Sequence, residues 1–222
     1  ISSAFSISFE NIIENLMLEA KSLSSTKNFK FISHQLRVIK RRLALVLAIT
    51  DICKIWELEQ ITSKLTDFAD TSLSIAFDVA SREVLGSIKT INYKSTIKLP
   101  NCVAASDLGL VVLAMGKMGA FELNYSSDID FNVFFDPTIY REDEIYIIRP
   151  LLIKITKLAV KFMSEVRDDG YIFRCDLRLR PEPSVNPVCL STNYALNYYQ
   201  EKGRTWERSA YIKARPVAGD II

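Results

Sequence analysis

Apolar positions recur at helical spacing through the first hundred residues and at strand spacing after them. In the second of the early helices, Leu36, Ile39, Leu43, Leu47 and Cys53 fall near a 3.6-residue period, with Arg37, Lys40 and Arg41 on other faces. A third run, Ile61, Leu65, Phe68, Ala69 and Ala76, repeats the pattern. One glycine, Gly86, and one proline, Pro100, are all that residues 1–100 hold, so helix interiors there are seldom interrupted. The pattern predicts a helical module over 1–107, whose plain role is a scaffold or a partner-binding bundle. His34, the only histidine, reads as a surface group or a satisfied core group on such a helix.

After Pro100, short apolar runs bounded by Gly, Asn, Ser and Asp replace the long periodic stretches, and a sheet is expected. Leu110–Met115 reads as a buried strand, Gly116–Gly119 as a turn, and Ala120–Leu123 as a short helical turn. Ile129–Phe135 reads as a second strand. Pro150–Val166 places Leu151, Leu152, Ile155, Leu158, Ala159, Phe162 and Met163 on one side, an amphipathic helix with proline near its first turn. Tyr171–Arg178 alternates as a third strand, and Thr192–Gln200 and Trp206–Lys213 read as helices. The fold class is therefore α+β: a helical module followed, over 108–222, by a small mixed sheet with flanking helices.

Bulk properties narrow this only slightly. The 28 basic and 26 acidic residues nearly cancel, so net charge points to neither a nucleic-acid nor a membrane surface. The longest apolar runs, Leu43–Ile49 and Leu108–Met115, fall far short of the roughly 18 residues of a membrane span. Cys53, Cys102, Cys175 and Cys189 form no CxxC pair, which fits a reducing cytoplasm better than a disulfide framework or a zinc site, and they read as small buried hydrophobes. The chain opens on Ile1 rather than methionine and reads as a piece of a longer polypeptide.

The chemistry concentrates on carboxylates. Strand residues two apart share a face, which sets Asp128 and Asp130 side by side, roughly 6.6 Å apart along the strand, while Ile129, Phe131 and Val133 face the core. Two like charges at the mouth of an apolar strand are unfavourable unless protonated, solvated or neutralised by cations, and carboxylate oxygens suit magnesium. Alternation in the third strand puts Ile172, Arg174, Asp176 and Arg178 on one face, which makes Asp176 the best third carboxylate. Arg174, Arg178 and Arg180 beside it suit phosphate oxygens. Alone, that segment also fits a solvent-facing salt-bridge ladder. Gly116 and Gly119 lead from a buried strand toward a candidate helix start where amides can hold phosphate, and the polar stretch through Ser127 follows. With one imidazole, no Ser/His/Asp or Cys/His triad can be assembled.

The segment Ala114–Asp130, AMGKMGAFELNYSSDID, closely resembles the signature of the glutamine synthetase adenylyltransferase/adenylyl-removing enzymes. The same pattern is met by Asp176–Pro181 (DLRLRP), by Thr205–Arg208 (TWER) and by Lys213–Asp220 (KARPVAGD). The resemblance implies a DNA polymerase beta-like nucleotidyltransferase fold and two magnesium ions held by Asp128, Asp130 and Asp176. It also implies ATP or ADP and phosphate as substrates or products, and glutamine synthetase as the protein acted upon. Through the full-length chain it extends to the PII signalling protein. Family members carry two such domains. Leu36-Arg37, Arg41–Leu43, Asp51-Ile52, Trp56 and Phe68–Asp70, with Trp206–Lys213, look more like the N-terminal, adenylyl-removing half. ATP-dependent addition of AMP is the rival enzyme reading. A domain that binds nucleotide or a regulator without turnover is the non-enzymatic one, weakened by the presence of all three acids. Two departures stand out: Ala120, beside the turn glycine, and Pro181–Ser184, which lacks a glycine many members carry.

Overall fold

The computed structural model describes residues 2–88 and 104–220, so Pro100 and Cys102 lie outside the described residues. Three long helices come first: α1 (Ser2–Ser22), α2 (Phe29–Ile52) and α3 (Leu58–Ile88). Helix α2 starts where the Asn28 side chain accepts the Phe31 amide at 3.1 Å, satisfying one of the donors a helix start leaves over. Its periodic positions Leu36, Ile39, Leu43 and Leu47 are buried, as are Ile61, Leu65, Phe68, Ala69 and Ala76 on α3. Cys53 departs from the expectation. It caps the C-terminus of α2 and is exposed, because the helix ends one residue earlier.

A five-stranded sheet follows. Strand β1 (Leu110–Ala114) leads into α4 (Gly116–Gly119), a single helical turn, and then into β2 (Ile129–Phe135), antiparallel to β1. Helix α5 (Glu142–Ser164) crosses back, and β3 (Cys175–Asp176) and β4 (Cys189–Ser191) both pair parallel with β2, at its start and its end respectively. Helices α6 (Thr192–Glu201) and α7 (Thr205–Ala210) precede β5 (Arg215–Gly219), which pairs antiparallel with β1 through a bulge at Val112/Leu113. The mixed α+β architecture expected from the residue pattern is the one observed.

One face of the sheet is covered by α3 and α5. Phe77 of α3 meets Phe131 of β2 edge-on at 6.3 Å, and Phe162 of α5 meets Phe29 at 4.9 Å. Phe68, Phe77, Phe131, Phe135 and Phe162 are fully buried in a core that runs without a break from the early helices into the sheet. Each is worth about 1.5–3 kcal/mol in transfer terms. On the other face, Phe134, Leu190 and Ala195 form a smaller cluster beneath α6, with Tyr199 and Tyr211 at its edge.

Several local expectations need correcting. Gly116–Gly119 is itself the helical turn, and Ala120–Leu123 is not helical: Phe121 has a left-handed φ of 60°. Pro150 lies inside α5, which begins at Glu142; the Glu144 carboxylate accepts the Arg141 amide at 3.0 Å there, and Glu142, Asp143 and Glu144 complement the helix dipole. The third strand shrinks to Cys175–Asp176. Ile172 and Phe173 are both buried, because their amides both donate to the Met163 carbonyl at the end of α5, which breaks the alternation. The last helix ends at Ala210, short of Lys213. Among the described residues no helix is long and apolar enough to cross a membrane.

Helix α2 is tied to the end of α5 by charge as well. Asp169, in the turn after α5, accepts from Arg37 Nε and His34 Nδ1 of α2, both at 2.6 Å, so the lone histidine is a satisfied group. The Arg37 hydrogen bond, then that from His34, hold the Asp169 carboxyl at about 2. A carboxyl depressed on folding contributes stability above its ordinary value near 4 and loses it as pH falls toward 2. Melting curves of Asp169→Asn and wild type should therefore differ at pH 5, with wild type the more stable, and converge as pH falls through about 2. A gap independent of pH would show that Asp169 holds α2 by packing alone.

Candidate active site

The loop from α4 to β2 is held by the early helices. Leu123 is buried and its amide donates to Thr66 Oγ1 of α3, and the Tyr125 hydroxyl donates to Asp51 at the end of α2. Ser127 then closes a local turn: its hydroxyl donates to Asn124 Oδ1 at 2.9 Å and accepts the Asn124 amide at 3.1 Å. The hydroxyl thus shapes the loop that delivers Asp128 to the mouth of β2.

Asp130 and Asp176 are register partners across the parallel β2–β3 pair, so two strands spaced about 4.8 Å apart bring carboxylates 46 residues apart in sequence together. Asp128 precedes the same strand and is half-exposed, hydrogen-bonded by Arg174 Nε. Arg174 Nη2 donates to the Ser126 carbonyl at 2.7 Å, fixing that pair to the loop. Arg178, 83% exposed, grips the more buried Asp176 through Nε at 2.8 Å and through Nη2.

The electrostatics follow. Burial, then Asp176 and Asp128, push the Asp130 carboxyl above its usual range, against a smaller pull from Arg178 and Lys117. The Asp176 carboxyl moves the other way, held down chiefly by its hydrogen bonds from Arg178. The two directions are compatible, because Arg178 bonds Asp176 directly and reaches Asp130 only through space. Asp130 thus carries the unmet negative charge of the site.

The two turn glycines work by lacking a side chain. A Cβ on Gly116, whose φ is 51°, would stand 2.9 Å from Asp130 Oδ2, and one on Gly119 would stand 2.1 Å from the Lys213 carbonyl oxygen. The turn therefore sits directly on the Asp130 carboxylate at one end and on the segment before β5 at the other. Arg180 is not brought to the carboxylates as a free donor. Its guanidinium is occupied by the carbonyls of Leu177, Pro183, Asn186 and Pro187, organising the 181–187 loop.

Other residues enter without a sequence signal of their own. Lys40 of α2 lies 4.6 Å and 4.5 Å over the Tyr171 and Phe173 rings, its pKa brought down to about 8 by burial and then by Arg174. Its place on a helical face marks it only as a solvated charge. Asn132, two residues beyond Asp130 and fully buried, donates to the Tyr211 hydroxyl at 2.6 Å and so docks the segment after α7 against β2. A polar residue inside an apolar strand is the available clue.

The donor set can be tested for a cation. Three carboxylates offer hard oxygen ligands of the kind magnesium takes, and the raised Asp130 carboxyl marks an excess of negative charge that a cation would relieve. Among the described residues no three acidic, histidine or cysteine side chains stand ready in metal-holding geometry, since Asp128 and Asp176 are turned onto arginines. The chemistry fits, with the guanidiniums standing as counter-charges.

A small mixed sheet backed by helices, carrying three aspartates at the junction of two parallel strands, is consistent with a nucleotidyltransferase-like fold. The model of the family described as glutamate-ammonia ligase adenylyltransferase matches residues 9–221, and the chain belongs to that family. It is 45% identical over 190 residues to the bifunctional glutamine synthetase adenylyltransferase/adenylyl-removing enzyme of Rhodopseudomonas palustris (strain ATCC BAA-98 / CGA009), covering 84% of this chain and 18% of that protein. The enzyme of the same description from Agrobacterium fabrum is 45% identical over 188 residues, with the same coverage, and that of Caulobacter vibrioides is 38% identical over 207, covering 92% of this chain and 20% of the relative. The chain thus spans about a fifth of the length of these relatives.

Proposed function

We propose that this domain carries out metal-dependent nucleotidyl transfer on glutamine synthetase, in the direction that removes AMP from a modified tyrosine by phosphorolysis and yields ADP. The observation that carries the reading is the grouping of Asp128, Asp130 and Asp176 with two exposed guanidiniums, Arg174 and Arg178. Asp128, Asp130 and Asp176 would hold magnesium, which when bound supplies neutralising charge for the phosphoryl group under attack. Arg174 and Arg178 offer forked donors to an incoming phosphate from the solvent side. An oxygen of hydrogenphosphate bonds to the α-phosphorus, the bond from phosphorus to the tyrosyl oxygen breaks, and the phosphate proton ends on the tyrosyl oxygen. Atoms and charge balance, and the attacking group is already an anion, so no strong general base is needed.

The direction is supported by the early helices, whose sequence resembles the adenylyl-removing half, and by those same helices holding the loop that delivers Asp128. The relatives' own description couples an adenylyltransferase with an adenylyl-removing activity. Incubating the full chain with adenylylated glutamine synthetase, phosphate and magnesium should release ADP and restore the free tyrosine. ATP with unmodified glutamine synthetase should yield little pyrophosphate. Pyrophosphate release that ignores added phosphate would reverse the assigned direction and leave the three carboxylates in place.

A further inference from the structure

We propose that Asp70 and Arg215 form a positioning pair that sets the Gly116–Gly119 turn against Asp130, an inference that rests on the nucleotidyl-transfer reading above. The residues are 145 apart in sequence, one on α3 and one opening β5, yet they meet as a bidentate pair: Nη1 to Oδ2 at 2.7 Å and Nη2 to Oδ1 at 3.0 Å. Both side chains are about a fifth exposed, so solvent screens them less than a surface pair.

The same guanidinium reaches the turn. Nη2 donates to the Met118 carbonyl at 3.0 Å and Nε to the Gly119 carbonyl at 3.3 Å. These carbonyls close the single turn of α4, where a helix end leaves acceptors over and favours a cation. Below them Arg215 Cζ stacks 3.8 Å from the centre of the Phe121 ring, holding a residue whose φ of 60° is costly for anything but glycine. Arg215 therefore has its charge, its plane and three of its nitrogens in use at once. Lysine cannot reproduce that fork.

The other end of the turn is the reacting end. Met115 donates its amide to the Asp130 carbonyl at 2.8 Å, and Gly116 sits against the Asp130 carboxylate. Four helical residues span only about 6 Å, so a shift at Met118–Gly119 is felt at Asp130 with little chance to dissipate. Asp70 is the part of the device that belongs to the helical module. Its carboxyl is pushed up by burial, a push that the hydrogen bond and charge of Arg215 pull back in part.

Arg215→Lys, Arg215→Met and the double variant Asp70→Asn/Arg215→Met in the full chain test this. Arg215→Lys should melt within a few degrees of wild type while kcat falls about 10- to 100-fold, the scale of an ångström of misplacement at a catalytic group. The KM for phosphate should stay near wild type. Hydrogen exchange of residues 117–121 should accelerate, and the double variant should lose no more than Arg215→Met alone. Wild-type kcat in Arg215→Lys, or a fall that merely follows the unfolded fraction, would overturn the pair. If wild type releases neither ADP nor pyrophosphate, the reading of the reaction fails on its own, and the exchange measurement still decides: equal exchange at 117–121 in wild type and Arg215→Lys sinks the inference.

Discussion

Asp130→Asn is expected to lose about a thousandfold in turnover while melting at a higher temperature than wild type. The activity loss would follow from removing one of the three charges proposed above to hold a divalent cation, an interaction on the scale of several kcal/mol. The stability gain follows from the direction of the Asp130 shift. Its carboxyl is raised by burial and by its two acidic neighbours, so the folded protein binds that proton more tightly than the unfolded chain. Stability from such a group is greatest below the ordinary aspartate value and falls as pH rises through the raised one. At neutral pH the charge is a net cost, which the neutral amide of nearly equal volume relieves. The gain should therefore be seen at pH 7 and vanish in acid, near pH 3, where wild type is protonated too. A folded Asp130→Asn that turns over at the wild-type rate would remove Asp130 from the chemistry. A lower melting temperature would mean that Arg178 and Lys117 outweigh the repulsion.

How much of this is legible in the sequence depends on whether local pattern or distant pairing decides each element. Strand β2 is legible to the residue, because Ile129, Phe131 and Val133 face a core and Asp128 marks where the chain leaves solvent. The buried stripe of α2 is legible for the same reason, since that helix packs through a single apolar side, whereas α3 is buried on several sides from Ser72 on, between the other helices and β5. Strand β3 is shorter than its pattern. The alternation is real in sequence, but only Cys175 and Asp176 are register partners on β2; the Arg174 carbonyl still accepts the Ile129 amide, while Ile172 and Phe173 are bound to the end of α5. The pattern still brings Asp176 to Asp130, because pairing needs just those two positions. Strands β4 and β5 escape the pattern, one being three residues long and the other carrying Pro216, which an edge strand tolerates. Pro150 suggests a helix start because proline favours that place, although Arg141 and the acidic run Glu142–Glu144 are the better signal. Arg180 reads as a phosphate ligand by analogy with its neighbours two and six residues back. Strand periodicity does not hold past Asp176, and its guanidinium turns to the loop that follows.

Gly119 decides whether the motifs meet at all, and Gly119→Ala should lower stability by about 3 kcal/mol, at the upper end of what overpacking costs. The new Cβ would lie 2.1 Å from the Lys213 carbonyl oxygen and 3.0 Å from that of Ala114. Both are backbone atoms, one in the segment entering β5 and the other ending β1, so neither yields as a flexible side-chain tip would. For a chain of this size the loss corresponds to a melting temperature lower by roughly 6–12 °C. Gly86 provides the contrast. It lies inside α3 with nothing within 4 Å of where a methyl group would sit, and Gly86→Ala should stabilise by about 0.5–1 kcal/mol through helix propensity alone. The two substitutions add the same atom, so their opposite signs isolate the close approach. Lys213 stands just ahead of Arg215, whose guanidinium holds the Met118 and Gly119 carbonyls, so relieving the Gly119→Ala clash requires that the turn or the strand move. Either movement loosens the backbone that rests on Asp130. Gly119→Ala should thus lose turnover at temperatures where it is still fully folded, whereas Gly86→Ala should keep it. A Gly119→Ala protein melting within about 2 °C of wild type, a shift worth at most about 0.5–1 kcal/mol, would refute the packing that joins the turn to β5.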